Sequence, residues 1–114
     1  MTQDKFDSIE KKVLAFAEKY SLQAHLSREF KEVSFISDFG MEAIDTETLE
    51  NPTDIATECY LMVYLPPVGE DDEDRLQRNV YQNVAWELMR IAKPDYLIGA
   101  ENGIVKAVMF CVWA

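Results

Sequence analysis

Eleven residues near the middle of the chain, Ile55 to Leu65, constrain its fold more than any other stretch. In an extended strand Ile55, Thr57, Cys59, Leu61, Val63 and Leu65 share one face, while Tyr60, Met62 and Tyr64 share the other. Over the second half both faces are apolar, so the strand belongs at the centre of a sheet or under cover on both sides. Pro66-Pro67-Val68-Gly69 then stops it.

Two helices flank this strand in sequence. From about Asp4 to Tyr20, the residues Phe6, Ile9, Val13, Phe16, Ala17 and Tyr20 recur at steps of three and four, which draws one apolar stripe with Lys11, Glu18 and Lys19 outside it. Asp4 is the expected cap. The second helix is expected from about Glu73 to Ala92, with Val80, Val84, Leu88 and Ile91 on its inner face and Lys93-Pro94 ending it. Leu22 to Phe39 alternates with a period near two, which predicts two short strands or one bent strand, turning at Phe39-Gly40. Residues 45 to 54 read as an exposed loop. At the C-terminal end Tyr96 to Gly99 and Ile104 to Trp113 flank Glu101-Asn102-Gly103, an Asn-Gly hairpin signal.

This order predicts one α+β domain over residues 1–114, with an antiparallel or mixed sheet of four to six strands and two helices packed on one face. An α/β sheet would need repeated crossover helices. The expected core includes Ile9, Val13, Phe16, Leu61, Val63, Val84, Leu88, Val108 and Phe110. With 48% hydrophobic residues in 114, such a core forms without metal or disulfide staples. Cys59 and Cys111 stand inside apolar runs and outside any CxxC spacing, so they are expected as reduced core residues. The start, Met1-Thr2-Gln3-Asp4-Lys5, has neither a basic segment nor an apolar run, and no window is long and apolar enough for a membrane span. A cytoplasmic protein is the expectation.

Charge narrows the partners. Eleven basic residues stand against 21 acidic ones, a formal net charge of -10 with a pI near 4.4. That balance disfavours direct nucleic-acid binding and anionic membrane surfaces. No catalytic residues, cofactor or metal site are expected. The single histidine, His25, has no glycine-rich elbow beside it, and four glycines at 40, 69, 99 and 103 spell no phosphate-binding loop. Glu70, Asp71, Asp72, Glu73 and Asp74 form the most conspicuous run. It lacks the alternating ligands of a calcium loop. Its plain reading is a solvated helix start favoured by the helix dipole, and its functional reading is a contact for a basic partner.

The helix that follows is basic, +3 over residues 75–93. At about 100° per residue with Trp86 at zero, Arg75 and Lys93 fall near -20°, Asn79 near +20°, Gln82 near -40° and Arg90 near +40°. Trp86 therefore lies mid-stripe on the polar face, opposite Val84 and Leu88. A tryptophan among arginines on an outward face has the composition of a binding hot spot. The plain alternative is a large side chain lying flat on the surface. Arg75, Asn79, Gln82, Trp86, Arg90 and Lys93, together with the run 70–74, are the candidate protein-binding residues.

Residues Thr57-Glu58-Cys59-Tyr60-Leu61-Met62-Val63-Tyr64-Leu65-Pro66, an acidic helix start, a helix like Asp74 to Ala92 and a closing last strand give Asp54 to Ala114 an order that resembles the minor tail protein U, or tail-terminator, family of long-tailed bacteriophages. An N-terminal amphipathic helix agrees with it. The resemblance implies a small α+β subunit that forms a hexameric ring, capping the tail tube and meeting head-completion proteins. Its setting would be the host cytoplasm and then the virion. Leu22 to Glu50 departs from that pattern, so no ring contact is carried over. The expected function is a non-enzymatic phage structural subunit that self-assembles. The alternative is an acidic inhibitor of anti-restriction or anti-CRISPR type, a nucleic-acid mimic whose carboxylates at 45–54 and 70–74 fill a basic groove on a defence enzyme.

Overall fold

Strand alternation at the chain's centre produces an eleven-residue strand, Asp54–Tyr64, with neighbours on both sides. The computed structural model describes residues 1–69 and 71–114. The elements are α1 (Gln3–Lys19), β1 (Gln23–Ser27), β2 (Lys31–Ser34), a π-helical turn (Phe35–Phe39), β3 (Ala43–Asp45), β4 (Asp54–Tyr64) and a 3-10 turn (Asp72–Asp74). After it come α2 (Arg75–Ile91), β5 (Tyr96–Ile98), a second 3-10 turn (Glu101–Gly103) and β6 (Ala107–Trp113).

The fold is α+β, with a six-stranded antiparallel sheet in the order β1-β4-β6-β5-β3, and β2 beside β1 on the same edge of β4. Both helices bury their apolar side chains in one cluster on one face. Phe6, Ile9, Val13 and Phe16 of α1 and Ala85 and Leu88 of α2 meet Cys59, Leu61 and Val63 of β4 and Val108 and Phe110 of β6 there. The opposite face carries Tyr60, Met62, Tyr96, Ile98 and Met109 under Phe35, Phe39 and Met41 of the π-helical turn and its exit. The central strand is thus covered twice. Each fully buried Leu, Val or Phe contributes about 1.5–3 kcal/mol to this arrangement.

Several local features differ from the alternation in the sequence. The β4–β6 register slips between Thr57 and Cys59, with Glu58 exposed at the bulge. Ile55 therefore packs with Val33 in the second cluster, whereas Cys59, Leu61 and Val63 point at the helices. One extra residue in a strand exchanges its faces, so Ile55 and Cys59 do not share one. Phe35 opens the π-helical turn instead of extending β2, and Gly40 ends that turn at φ 68°, where a Cβ is unfavourable. The cap of α1 is Thr2, whose Oγ1 accepts the Lys5 N–H at 3.3 Å, while Asp4 sits in the first turn. Val84 is half-buried at the edge of the core. β5 and β6 do pair as a hairpin, but the connection runs from Gly99 to Lys106 and not through a two-residue Asn-Gly turn: Gly103 N–H closes a turn on the Ala100 carbonyl, with Asn102 and Gly103 left-handed at φ of 57° and 77°.

Candidate functional site

The exposed side of α2 is where the sequence places its candidate residues, and backbone geometry decides which of them share it. Ala85 and Leu88 are buried along α2, as is Ala92 just beyond it, with Tyr81, Gln82, Val84 and Met89 half-buried around them. Arg75, Asn79, Trp86, Arg90 and Lys93 all face solvent, and Trp86 is 61% exposed. Those five residues stand where the helical periodicity puts them.

Gln82 does not. Its Nε2 donates to the Val105 carbonyl at 3.1 Å and its Oε1 accepts the Val105 N–H at 3.0 Å. The side chain thus ties α2 to the segment leading into β6, a connection between strands and helix across 23 positions of sequence. A glutamine amide can satisfy both main-chain groups of one residue at once, and only a nearby unpaired backbone segment makes that worthwhile. Gln82 is therefore corrected from an outward contact residue to an inward tie.

The inner face is also rotated from the expected one. Val80 is 53% exposed and Ile91 40% exposed, with Leu76 at 76%. Leu76, Val80 and Ile91 consequently lie exposed along one line of the helix, interrupted by exposed Glu87 between Val80 and Ile91 and flanked by Asn79, Asn83, Trp86 and Arg90. Together with Trp86 they make this the side of α2 on which exposed apolar side chains gather. The sequence reading set Val80 and Ile91 on the inner face of the helix, whereas both are exposed.

Charge is separated along the same helix. Asp71, Asp72 and Glu73 are exposed before its first turn and Asp74 is half-buried, while Glu70 lies outside the described residues. The Arg78 guanidinium donates to the carbonyls of Gly69 and Asp71, which pins this acidic segment to the helix. Arg90 and Lys93 occupy the opposite end. Glu87, the one carboxylate within α2, accepts a hydrogen bond from Tyr20 Oη at 3.0 Å, and that bond pushes the phenol pKa up.

A second segment is acidic along the chain, although Glu47 lines a pocket with Lys5 and Lys93. Glu42, Asp45, Glu47, Glu50 and Asp54 occur with no lysine or arginine among residues 42–54. Asp45 Oδ1 accepts the N–H of Glu47 at 2.9 Å and of Thr48 at 3.4 Å, which shapes a turn whose Leu49 is 78% exposed in a left-handed conformation, φ 56°. His25 is exposed beside Tyr60, with ring centroids 5.7 Å apart. Cys59 and Cys111 are buried, and burial pushes both thiols up. Among the described residues no three His, Cys, Asp or Glu side chains come together as metal ligands. No helix is long and apolar enough to cross a membrane, among the residues described. Comparison of the chain with protein-family models, with curated proteins and with solved structures finds no match.

Proposed function

We propose that this chain is a non-enzymatic structural subunit of a bacteriophage tail, of tail-terminator type, working through protein–protein contact and assembling with further copies of itself into a ring. The observation that carries the reading is the outer face of α2. There Trp86 stands among Arg75, Arg90 and Lys93 and adjoins exposed apolar side chains that the core does not use. Such a face costs solubility and adds nothing to the fold, so its use lies in binding. The pairing of the long β4 with the closing β6 and the helix between them agrees with the order of elements on which the resemblance rests.

Trp86→Ala tests it. The variant keeps the wild-type melting temperature but loses at least about 2 kcal/mol of binding in self-assembly or in capture by isolated tail tubes. Equal stability with equal binding would make the face a merely solvated one. A lower melting temperature would make Trp86 a packing residue.

The acidic segment 42–54 supports a second reading, an inhibitor that fills the basic groove of a nucleic-acid enzyme. Its five carboxylates have no lysine or arginine among them in sequence, and Lys5 and Lys93 stand only at the Glu47 end. That reading requires salt-sensitive binding in competition with DNA or RNA, abolished by neutralising Glu47 and Glu50.

A further inference from the structure

We infer that the hollow between β1, β2 and the π-helical turn is a saccharide-binding site, which takes a neutral pyranose unit by its hydroxyls. The hollow lies across the sheet from α2, so it stands or falls apart from the α2 contact.

The sheet builds this site. Gln23 and His25 pair with Tyr64 and Met62 across the β1–β4 ladder, and cross-strand partners project from one face, here the face away from the helices. Tyr60 follows on the same face of β4. The π-helical turn covers this face only as far as Phe39, whose ring stands edge-on to Tyr60 with centroids 6.1 Å apart. Beyond Phe39, toward β1, a hollow of about 380 Å³ stays open, within the size range of small-ligand sites. Turns of π-helix are rare and frequently accompany functional sites.

Tyr60 shows what the hollow lacks. Only 4% of it is exposed, and it lines the hollow. Among the described residues its hydroxyl has no hydrogen-bond partner, yet no fully buried side-chain oxygen is left unpaired, so the small exposed part of Tyr60 includes that hydroxyl. A polar group so nearly buried calls for a partner, and here the partner has to come from outside the chain. Burial pushes the Tyr60 phenol up, and nearby Tyr64 and Asp38 push the same way, so the group is kept protonated and able to donate.

The rim selects the class of ligand. The Lys31 ammonium and the carboxylates of Glu32 and Asp38 surround one hollow. An anion would face the two carboxylates, and a cation would face Lys31. A neutral molecule rich in hydroxyls avoids both conflicts, because each hydroxyl donates and accepts. It can donate to Asp38 or Glu32, accept from Lys31, and do either with the Gln23 amide and the two tyrosine hydroxyls. Half-buried Phe39 and Tyr64 supply apolar surface for the C–H side of a sugar ring.

The test titrates the nitrogen-15-labelled full chain with methyl α-D-glucopyranoside, methyl α-D-mannopyranoside and methyl β-D-galactopyranoside, each to about 50 mM, enough to read millimolar affinity. At least one is expected to give saturable shifts in the amides of Gln23, His25, Tyr60 and Tyr64 while those of Trp86 and Arg90 stay in place. Tyr60→Phe is expected to keep the wild-type melting temperature, since the hydroxyl holds nothing within the chain, and to weaken that pyranoside at least about fivefold. Gln23→Ala, at an exposed position on the sheet edge, is expected to weaken it independently. No saturable shift with any of the three sugars overturns the assignment, as do shifts that both variants leave unchanged. Tighter binding of tetramethylammonium or of inorganic phosphate at the same residues also overturns it, in favour of a charged ligand.

Discussion

Gln82→Ala is the perturbation that most directly tests how α2 is seated. The Val105 N–H and carbonyl each have Gln82 as partner, and Val105 is buried at 8% exposure. Truncation leaves both main-chain groups without it. A buried polar group left unsatisfied costs about 1–3 kcal/mol. Gln82 itself is only half-buried, so water reaches part of the site and offsets some of the loss. The net expectation is about 2 kcal/mol of lost stability, read by urea denaturation followed through far-UV circular dichroism. Gln82→Glu sharpens the test. It keeps the acceptor for the Val105 N–H but places a carboxylate oxygen against the Val105 carbonyl. Protonation restores a donor there, which raises the folded pKa of the introduced acid. Its contribution is therefore complete at low pH and lost as pH rises through that raised pKa, so the defect is larger at pH 7 than at pH 4. A Gln82→Ala variant within about 0.5 kcal/mol of wild type, the range of an ordinary surface substitution, would refute the tie between α2 and the β6 approach.

Leu61→Ala and Leu88→Ala, both at fully buried positions, should each cost about 2–5 kcal/mol in the same denaturation experiment, and a loss under 1 kcal/mol at either site would remove it from the core. Burial pushes the Tyr96 phenol from 10.0 up to about 12, against the opposing effect of the Trp113 indole N–H, which donates to it at 2.8 Å. Tyr96 thus contributes stability that is complete below pH 10 and lost as pH rises toward about 12, up to about 3 kcal/mol. Phenolate absorbance should show part of the signal from the five tyrosines appearing only with unfolding, and a single step near pH 10 in the folded chain would contradict this. Cys59 and Cys111 should resist a thiol reagent at pH 8 in the native state and react at once in denaturant.

The sequence by itself determined those features whose cause is local. Steps of three and four from Phe6 to Ala17 name the buried face of α1 correctly, because a helix's own pitch decides which side chains share a side. Asn102-Gly103 marks where the chain turns back between β5 and β6, because both residues tolerate the left-handed conformation, but not the length of the loop. The apolar run to Leu65 locates the central strand for a similar reason. Tertiary structure alone decided where those faces point. The bulge at Glu58 moves Ile55 across the sheet, since β4 must meet β2, β1 and β6 in three separate registers at once. The seating of α2 was equally out of reach. A helix periodicity shows that an apolar stripe exists but not how much of it the rest of the chain can cover, and Val84 stands at the limit of that cover. Val80 and Ile91 lie beyond it, while polar Gln82 lies inside because its partner is a backbone segment 23 residues away. Side-chain polarity predicts burial only when the nearest partner is water, and here the unpaired main chain of Val105, brought close by the sheet, offered a better one.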